Sequence, residues 1–312
     1  QSASKNFKAA ETNAKKAIEL NKNNPYGWWS LAQLYYEQKE LKSSIEQFNK
    51  AISMDSKNPY LYAHRSNARR LFKDLDGANE DAETALILYP SLPDAITAKG
   101  NIYYDKEQFK EAIVEYNKSI ELNPKDLRAI ANRAQARIKT NDYNGALKDC
   151  NKLLELDPNF ALGYANRGGV KAWFGDFKGA LPDLDKAIEM DPTYAPAFSN
   201  RGNNKFSNGE LDAALSDLNT AIKLDNTNAP DYASRAGVKI KLKDYEGAIR
   251  DATRSLELDP SIAYTFYVRG TAYEESGNLE AACLDYEKAA EMGDYFAIQS
   301  AKKLCKKKKE KQ

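Results

Sequence analysis

Between residues 161 and 194 the chain reads ALGYANRGGVKAWFGDFKGALPDLDKAIEMDPTY, and its apolar or small positions form two helical stripes separated by a short break. Tyr164, Gly168, Val170 and Phe174 carry the first stripe; Phe177, Ala180, Leu181, Leu184, Ala187, Ile188 and Met190 carry the second at i, i+3, i+4 and i+7 spacing. Gly175 supplies a residue that tolerates left-handed backbone at the end of the first helix. Asp176 supplies an N-cap for the second, and Asp191-Pro192 stops it. The pattern predicts a helical hairpin. Neither helix can bury its stripe alone, so the hairpin requires neighbours.

Sliding the block by 34 residues finds them. The eighth position of each repeat is Gly, Ala or Ser: Ala32, Ser66, Gly100, Ala134, Gly168, Gly202, Ala236 and Gly270. The twentieth is Ser44, Ala78, Ala112, Ala146, Ala180, Ala214, Ala248 and Ala282, and the thirtieth is always Met or Leu. Eight repeats run without insertion from Pro25 to Phe296, starting at Pro25, Pro59, Pro93, Leu127, Ala161, Ala195, Ala229 and Ala263. Several carry proline at the first or second position, where a helix start tolerates a missing N–H. Pro182 lies some five residues into a second helix, where it removes a hydrogen bond; a tolerated defect near the first turn is expected, with a local kink as the alternative.

These repeats resemble tetratricopeptide repeats, whose W-x2-L-G-x2-Y, A-x3-F, P pattern the first repeat follows with Trp28, Leu31, Ala32, Tyr35 and Phe48. It departs at Ser44 and Ser56, where the pattern has Ala and Pro. The resemblance implies an all-α fold, a right-handed α-solenoid (superhelix) of helix-turn-helix hairpins with about 18 helices, in which each repeat touches mainly its neighbours. Three segments are expected: residues 1–24 as a partial repeat (a second helix only), 25–296 as eight full repeats, and 297–312 as a capping helix with a basic tail. In that tail Ala297, Ile298, Ala301 and Leu304 face the last repeat, and Lys302, Lys303 and Lys306 to Lys309 stay in water.

Composition narrows the function. The 46 basic and 45 acidic side chains of the 312-residue chain nearly cancel, which argues against a nucleic-acid or anionic-membrane protein. No run approaches the roughly 20 apolar residues of a membrane span. One histidine, His64, leaves histidine catalysis almost nothing to work with, and no enzyme activity, cofactor or metal is expected. Three cysteines are too few for a disulfide framework or zinc site, but Cys283 and Cys305 are placed so that a helix, a turn and a returning helix can bring them together. Because the chain starts in mid-hairpin at Gln1, either a signal segment or an upstream part precedes it. Export to the periplasm or medium is favoured over a cytoplasmic location.

Two periodic features carry chemistry. Position seven is basic from the second repeat on (Arg65, Lys99, Arg133, Arg167, Arg201, Arg235, Arg269) and position 23 is acidic in the same repeats (Asp81, Glu115, Asp149, Asp183, Asp217, Asp251, Asp285). The first repeat has Leu31 and Gln47, so both partners are absent together. This covariation predicts an ion pair tying the two helices of each hairpin. The family resemblance further implies that positions 2, 5, 6, 9, 12 and 13 of the first helices face a concave groove. There position five is mostly small (Ala63, Thr97, Ala131, Ala165, Ser199, Ala233), position six carries Asn132, Asn166 and Asn200, and Asn67, Asn101 and Asn203 stand at position nine. This arrangement resembles the asparagine ladder in the repeat domain of O-linked N-acetylglucosamine transferase, and implies hydrogen bonding to a peptide backbone.

Aromatic anchors are expected at Trp29, Tyr36, Tyr60 and Tyr104 early, Trp173 and Phe206 in the middle, and Tyr264 and Tyr267 late. The groove's charges balance, with Glu37, Asp94, Asp105, Glu274 and Glu275 against Arg70, Arg128, Lys139 and Lys241. The clamp by which chaperone-binding relatives hold an acidic C-terminal tail requires Lys at position five, and no repeat has one. The expected function is a protein-interaction scaffold gripping an extended peptide or partner helix, with its site over the fourth to sixth repeats. The alternative is a targeting or regulatory segment of a larger enzyme or of a secretion or assembly complex.

Overall fold

The structure, a computed structural model, describes residues 2–305 and is entirely helical there. Its contacts divide the chain into two compact units, residues 1–158 and 159–312. The N-terminal unit contains α1 (Ser2–Leu20), α2 (Pro25–Glu37), α3 (Leu41–Met54), α4 (Pro59–Leu71), α5 (Leu75–Leu88), α6 (Pro93–Asp105), α7 (Phe109–Leu122), α8 (Leu127–Lys139) and α9 (Tyr143–Leu156). The C-terminal unit contains α10 (Ala161–Trp173), α11 (Phe177–Met190), α12 (Ala195–Ser207), α13 (Leu211–Leu224), α14 (Ala229–Lys241), α15 (Tyr245–Leu258), α16 (Ala263–Glu275), α17 (Leu279–Glu291) and α18 (Tyr295–Leu304). Within each unit the helices form a solenoid of antiparallel hairpins, first helix against second, each packed on the next.

The hairpin turn is set locally. The second of its three residues takes a left-handed conformation in every repeat, Gly175 at φ +79° among them. Lys39, Lys73, Glu107, Asn141 and Lys243 adopt it without being glycine, so the turn is fixed by the helices it joins and not by glycine alone. Asp74, Asp142, Asp176 and Asp244 then cap the second helices by accepting from the amides of Gly77, Gly145, Gly179 and Gly247. Pro182 sits within α11, which runs unbroken over 14 residues like its counterparts.

The helices of a hairpin cross where positions 8 and 20 meet, and both rows are buried throughout; Ala146, Ala180 and Ala214 are fully inaccessible. The residue at position 24 fills what position 8 leaves. Opposite Gly100, Gly168, Gly202 and Gly270 stand Tyr116, Leu184, Leu218 and Tyr286, whose atoms lie within 2.6–2.9 Å of where a Cβ on the glycine would be. Ala236 shares a buried cluster with Ala252. Where serine replaces alanine at the crossing, its hydroxyl donates across the hairpin, Ser44 to the carbonyl of Ala32 and Ser66 to that of Ala78, both at 2.7 Å.

The expected ion pairs form at six of seven positions. In the pairs Arg65–Asp81, Arg133–Asp149, Arg167–Asp183, Arg201–Asp217, Arg235–Asp251 and Arg269–Asp285, Nε donates to Oδ2 at 2.8–3.0 Å and Nη2 to Oδ1 at 2.5–2.8 Å. The exception is Lys99 and Glu115, which do not pair; Glu115 accepts instead from Lys118 on its own helix at 2.9 Å. A lysine lacks the fork that spans both carboxylate oxygens.

Two further partners were not foreseen. At position 11, Arg69, Arg137, Lys171, Lys205 and Lys239 also contact the carboxylates of Asp81, Asp149, Asp183, Asp217 and Asp251, at 2.7–3.2 Å. The arginines of position seven also reach back to the preceding repeat, Arg65 to Asn49, Arg133 to Asn117, Arg201 to Asp185 and Arg235 to Asn219. For Asp183 and Asp217, burial alone would raise the pKa, but bonds from Arg167 and Lys171, and from Arg201 and Lys205, outweigh it and hold both carboxyls below their usual value.

At the N-terminal end, Ala14 and Ile18 of α1 pack against Leu31 and Leu34, as a second helix without its first would. At the other end, Gly293 at φ +89° closes α17 early, so α18 starts at Tyr295, two residues before the 34-residue register. Ala297 is buried there, Lys302 and Lys303 are exposed, and Lys306 to Lys309 lie outside the described residues. Cys283 and Cys305 are disulfide-bonded with Cα atoms 5.5 Å apart, while Cys150 is buried and free of any disulfide.

Two outcomes follow. Asp217→Ala takes from the half-buried Arg201 and Lys205 the carboxylate they share, leaving Arg201 only Asp185, and is expected to cost about 3 kcal/mol, more than the joint replacement Arg201→Met/Asp217→Leu; chemical denaturation checks the order of the two. Thiol titration of the unreduced, denatured chain is expected to find one reactive cysteine, Cys150. Removing the disulfide with Cys283→Ser/Cys305→Ser is expected to cost α18 about 3 kcal/mol of local stability, read by hydrogen exchange.

Candidate functional site

Within each compact unit the first helices pack on one another from repeat to repeat: α2, α4, α6 and α8 in one, α10, α12, α14 and α16 in the other. Each has one side turned to neighbouring helices and one left free, and the sequence pattern assigns the residues in question to the free side.

Position five does not lie on that free side. Ala63, Thr97, Ala131, Ala165, Ser199 and Ala233 are buried, Ala63 against Ala85 and Ala95, and Ala165 against Ala187 and Ala197. The small side chains expected to admit a peptide instead let successive first helices approach. Thr97 spends its hydroxyl on Ser119, 2.7 Å away.

The asparagines bond mostly to one another. In the N-terminal unit Asn132 donates to Asn101 Oδ1 at 2.7 Å, Asn101 donates to Asn67 Oδ1 at 3.2 Å, and Asn67 donates to the carbonyl of Ala63 at 3.2 Å. Tyr116 adds a fourth member by donating to Asn101 at 2.9 Å. Its phenol is pushed well above the usual value by burial first. Asn132 keeps its Oδ1 and one N–H unspent. In the C-terminal unit Asn166 is buried with its amide nitrogen unpartnered, and Asn200 donates to the carbonyl of Ala165 at 3.5 Å through space that Gly169 leaves open. Asn203 is half-buried. Asn132 therefore belongs to one unit, and Asn166, Asn200 and Asn203 to the other.

The aromatics divide into packed and presented. Tyr36 and Trp29 pack beside Phe48, Tyr104 meets Phe109 edge-on at 5.2 Å, and Tyr267 lies 5.9 Å from Tyr286 and 6.0 Å from Phe296. Trp29 also lies 5.5 Å from His64, whose imidazole burial keeps less basic than usual against the opposing pull of Asp94. Trp173 is different: it stands 59% exposed, in edge contact with Phe174 at 5.2 Å. Phe206 is half-buried beside Gly237, near the hydroxyl of Tyr264.

Four of the balancing charges of this side pair in space. Arg70 bonds Asp105 at 2.9 Å and Arg128 bonds Asp94 at 3.2 Å, each between successive first helices. Asp231, at position three where other repeats are small or apolar, is buried. Its Oδ1 accepts from Ser199 and its Oδ2 has no partner, and burial pushes its pKa up. Among the described residues no group of His, Cys, Asp or Glu is arranged to hold a metal, and no helix is long and apolar enough to cross a membrane.

Tetratricopeptide repeat models match residues 2–59, 127–160 and 235–295, and a TPR repeat model matches residues 100–140. Together they take in more than half of the chain, which belongs to the tetratricopeptide repeat family. It is 32% identical over 111 residues to the Hsp70-Hsp90 organizing protein of Triticum aestivum; that match covers 35% of this chain and 18% of the wheat protein. Among solved structures it is similar to a chain of the APC/C hetero-tetramer Cut9-Hcn1, with TM-score 0.80, 15% identity, and coverage of 95% of this chain and 58% of that one. A tetratricopeptide repeat protein from Parabacteroides merdae follows at TM-score 0.59 and 21% identity, covering 78% of this chain and 97% of that one. At these identities the structural likenesses show the fold. The chain thus spans under a fifth of the wheat protein and under two thirds of the first of these structures.

The raised pKa of Asp231 has a definite sign. Its carboxyl is easier to protonate folded than unfolded, so the stability it contributes is fully present below the unfolded value of about 3.9 and is lost as pH rises through the folded value. Asp231→Asn is therefore expected to stabilise the chain at neutral pH and to lose that advantage at acid pH. Denaturant midpoints measured across the range check this.

Proposed function

We propose that this chain is an interaction scaffold that holds an extended segment of a partner protein along the free side of its first helices, within each compact unit. The observation that carries the reading is Trp173. It stands 59% exposed near the end of a first helix, and exposed aromatic anchors are what interface hot spots are made of. In the next first helix, α12, Asn200 and Asn203 supply polar groups, with Phe206 as a second ring. In the N-terminal unit Asn132, with an unspent donor and acceptor, and Tyr104 supply the same combination, with Trp29 and Tyr36 beyond them.

A peptide lying there would be held largely through its backbone. Each amide bond contributes about 1 kcal/mol net, so asparagines alone give weak affinity and the rings must supply the rest. The wheat relative is named for organising Hsp70 and Hsp90. Capture of an acidic C-terminal tail by the carboxylate clamp is not part of this proposal, because position five carries no lysine and is buried in most repeats.

Selecting peptides from a displayed library against the intact chain, then measuring their affinity for variants, tests the reading. Trp173→Ala is expected to weaken peptides bound to the C-terminal unit about tenfold or more, Asn200→Ala by less, and Lys178→Ala, on the exposed face of α11, not at all. Peptides that respond to Lys178 but to neither Trp173 nor the asparagines would place binding on the second helices and end the proposal.

A further inference from the structure

Within the N-terminal unit, residues of α4, α6, α7 and α8 line a half-open pocket of about 160 Å3. We propose that it is a specificity pocket for the side-chain carboxamide of an asparagine or glutamine in the bound peptide. This rests on the peptide-holding role argued above, and adds which side chain the peptide presents.

The lining carries one cation and one anion, Arg70 and Asp105, and they neutralise each other at 2.9 Å. Everything else on the wall is an amide or a phenol. A carboxylate entering the pocket would gain Arg70 but meet Asp105, and an ammonium or guanidinium would gain Asp105 but meet Arg70; neither finds a net field. A neutral group with a donor and an acceptor finds both. Asn101 is not available for this, because its oxygen already accepts from Tyr116 and Asn132 and its nitrogen donates to Asn67. The unspent groups are the oxygen and second N–H of Asn132, the amide of Gln135, the hydroxyl of Tyr104, Asp105 Oδ1 and Arg70 Nε. Gln135, Asn132 and Tyr104 thus offer donors to a carbonyl oxygen, and Asp105, Asn132 and Gln135 offer acceptors to an NH2.

Two details make the pocket more than a gap between side chains. Arg70 Nε is buried without a partner, an arrangement that costs stability and that packing does not require. A sugar is also neutral and polar, but both rings of the wall are already engaged, Tyr104 edge-on with Phe109 and Tyr116 against Gly100. Burial and then the neighbouring Asp105 raise the pKa of Tyr104, keeping its hydroxyl protonated as a donor.

The probes are short, end-blocked, alanine-rich peptides differing only in one central residue: glutamine, glutamate, lysine or alanine. Binding to the intact chain is followed by NMR through the side-chain amide resonances of Asn132 and Gln135. The glutamine peptide is expected to shift both and to bind about tenfold more tightly than the others. Asp105→Asn leaves Arg70 uncompensated and is expected to move the preference to glutamate; Arg70→Gln is expected to move it to lysine. Gln135→Ala keeps the ion pair and is expected to remove the advantage of glutamine, so the idea stays testable should a charge variant fail to fold. Equal binding of the alanine peptide, a wild-type preference for glutamate or lysine, or glucose shifting the same resonances would overturn the pocket. If library-selected peptides bind this unit while none of the four probes does, the pocket fails and the scaffold reading stands; if neither binds, the scaffold reading fails with it.

Discussion

Everything in this chain follows from how closely the two helices of a hairpin can cross. At the crossing, position 8 of one helix and position 20 of the other are Gly, Ala or Ser in every repeat, and both are buried. With so little between them, the backbones come near enough for Ser44 and Ser66 to reach carbonyls on the opposite helix. That proximity brings position 24 against position 8, where Tyr116, Leu184, Leu218 and Tyr286 occupy the room left by glycine. It also brings the forked end of each position-seven arginine onto the position-23 aspartate. The close packing of interiors makes such volume exchange compulsory, since one methyl group too many at a crossing must be taken up somewhere else.

The charges are secondary to that crossing but give it register. A buried aspartate such as Asp217, 7% exposed, is tolerable because it accepts from Arg201 and Lys205 at once. The same arginine stacks on the ring of Phe198 and bonds Asp185 of the preceding repeat, so one side chain ties a hairpin internally and to its neighbour. Such pairs add little net stability over an apolar core. Their geometry, however, is satisfied at one offset only, and a hairpin slipped by a residue would bury the carboxylate unpaired.

The periodic part of this was legible in the sequence and the aperiodic part was not. Eight repetitions of the small residues at positions 8 and 20 and six of the Arg/Asp pair located the helices, the turns and six ion pairs, because each signal was repeated in one register. Lys99 and Glu115 conserved the charges of the pair but not the shape of the guanidinium, and charge alone did not form the bond. Position 11 was missed because it is basic in only five repeats and nothing in sequence shows it reaching the same carboxylate. Position five was assigned to the free face from the family pattern, whereas its small residues are buried between first helices. The asparagines were read as donors waiting for a ligand; in three dimensions Asn67, Asn101 and Asn132 are largely occupied with one another, and what stays unspent depends on side-chain rotamers.

The backward-reaching arginine has a consequence for how such a chain can lengthen. Each of these stitches needs only a repeat and its predecessor: Arg235 takes Asp251 from its own hairpin and Asn219 from the one before. A tandem copy of one such block, inserted in frame, would arrive with both halves of the bond already encoded, the arginine facing backward and the asparagine waiting for whatever follows. No coordinated second change would be needed. The extent of the array is thus free to drift by duplication and loss, while the alphabet of contacts inside it stays fixed.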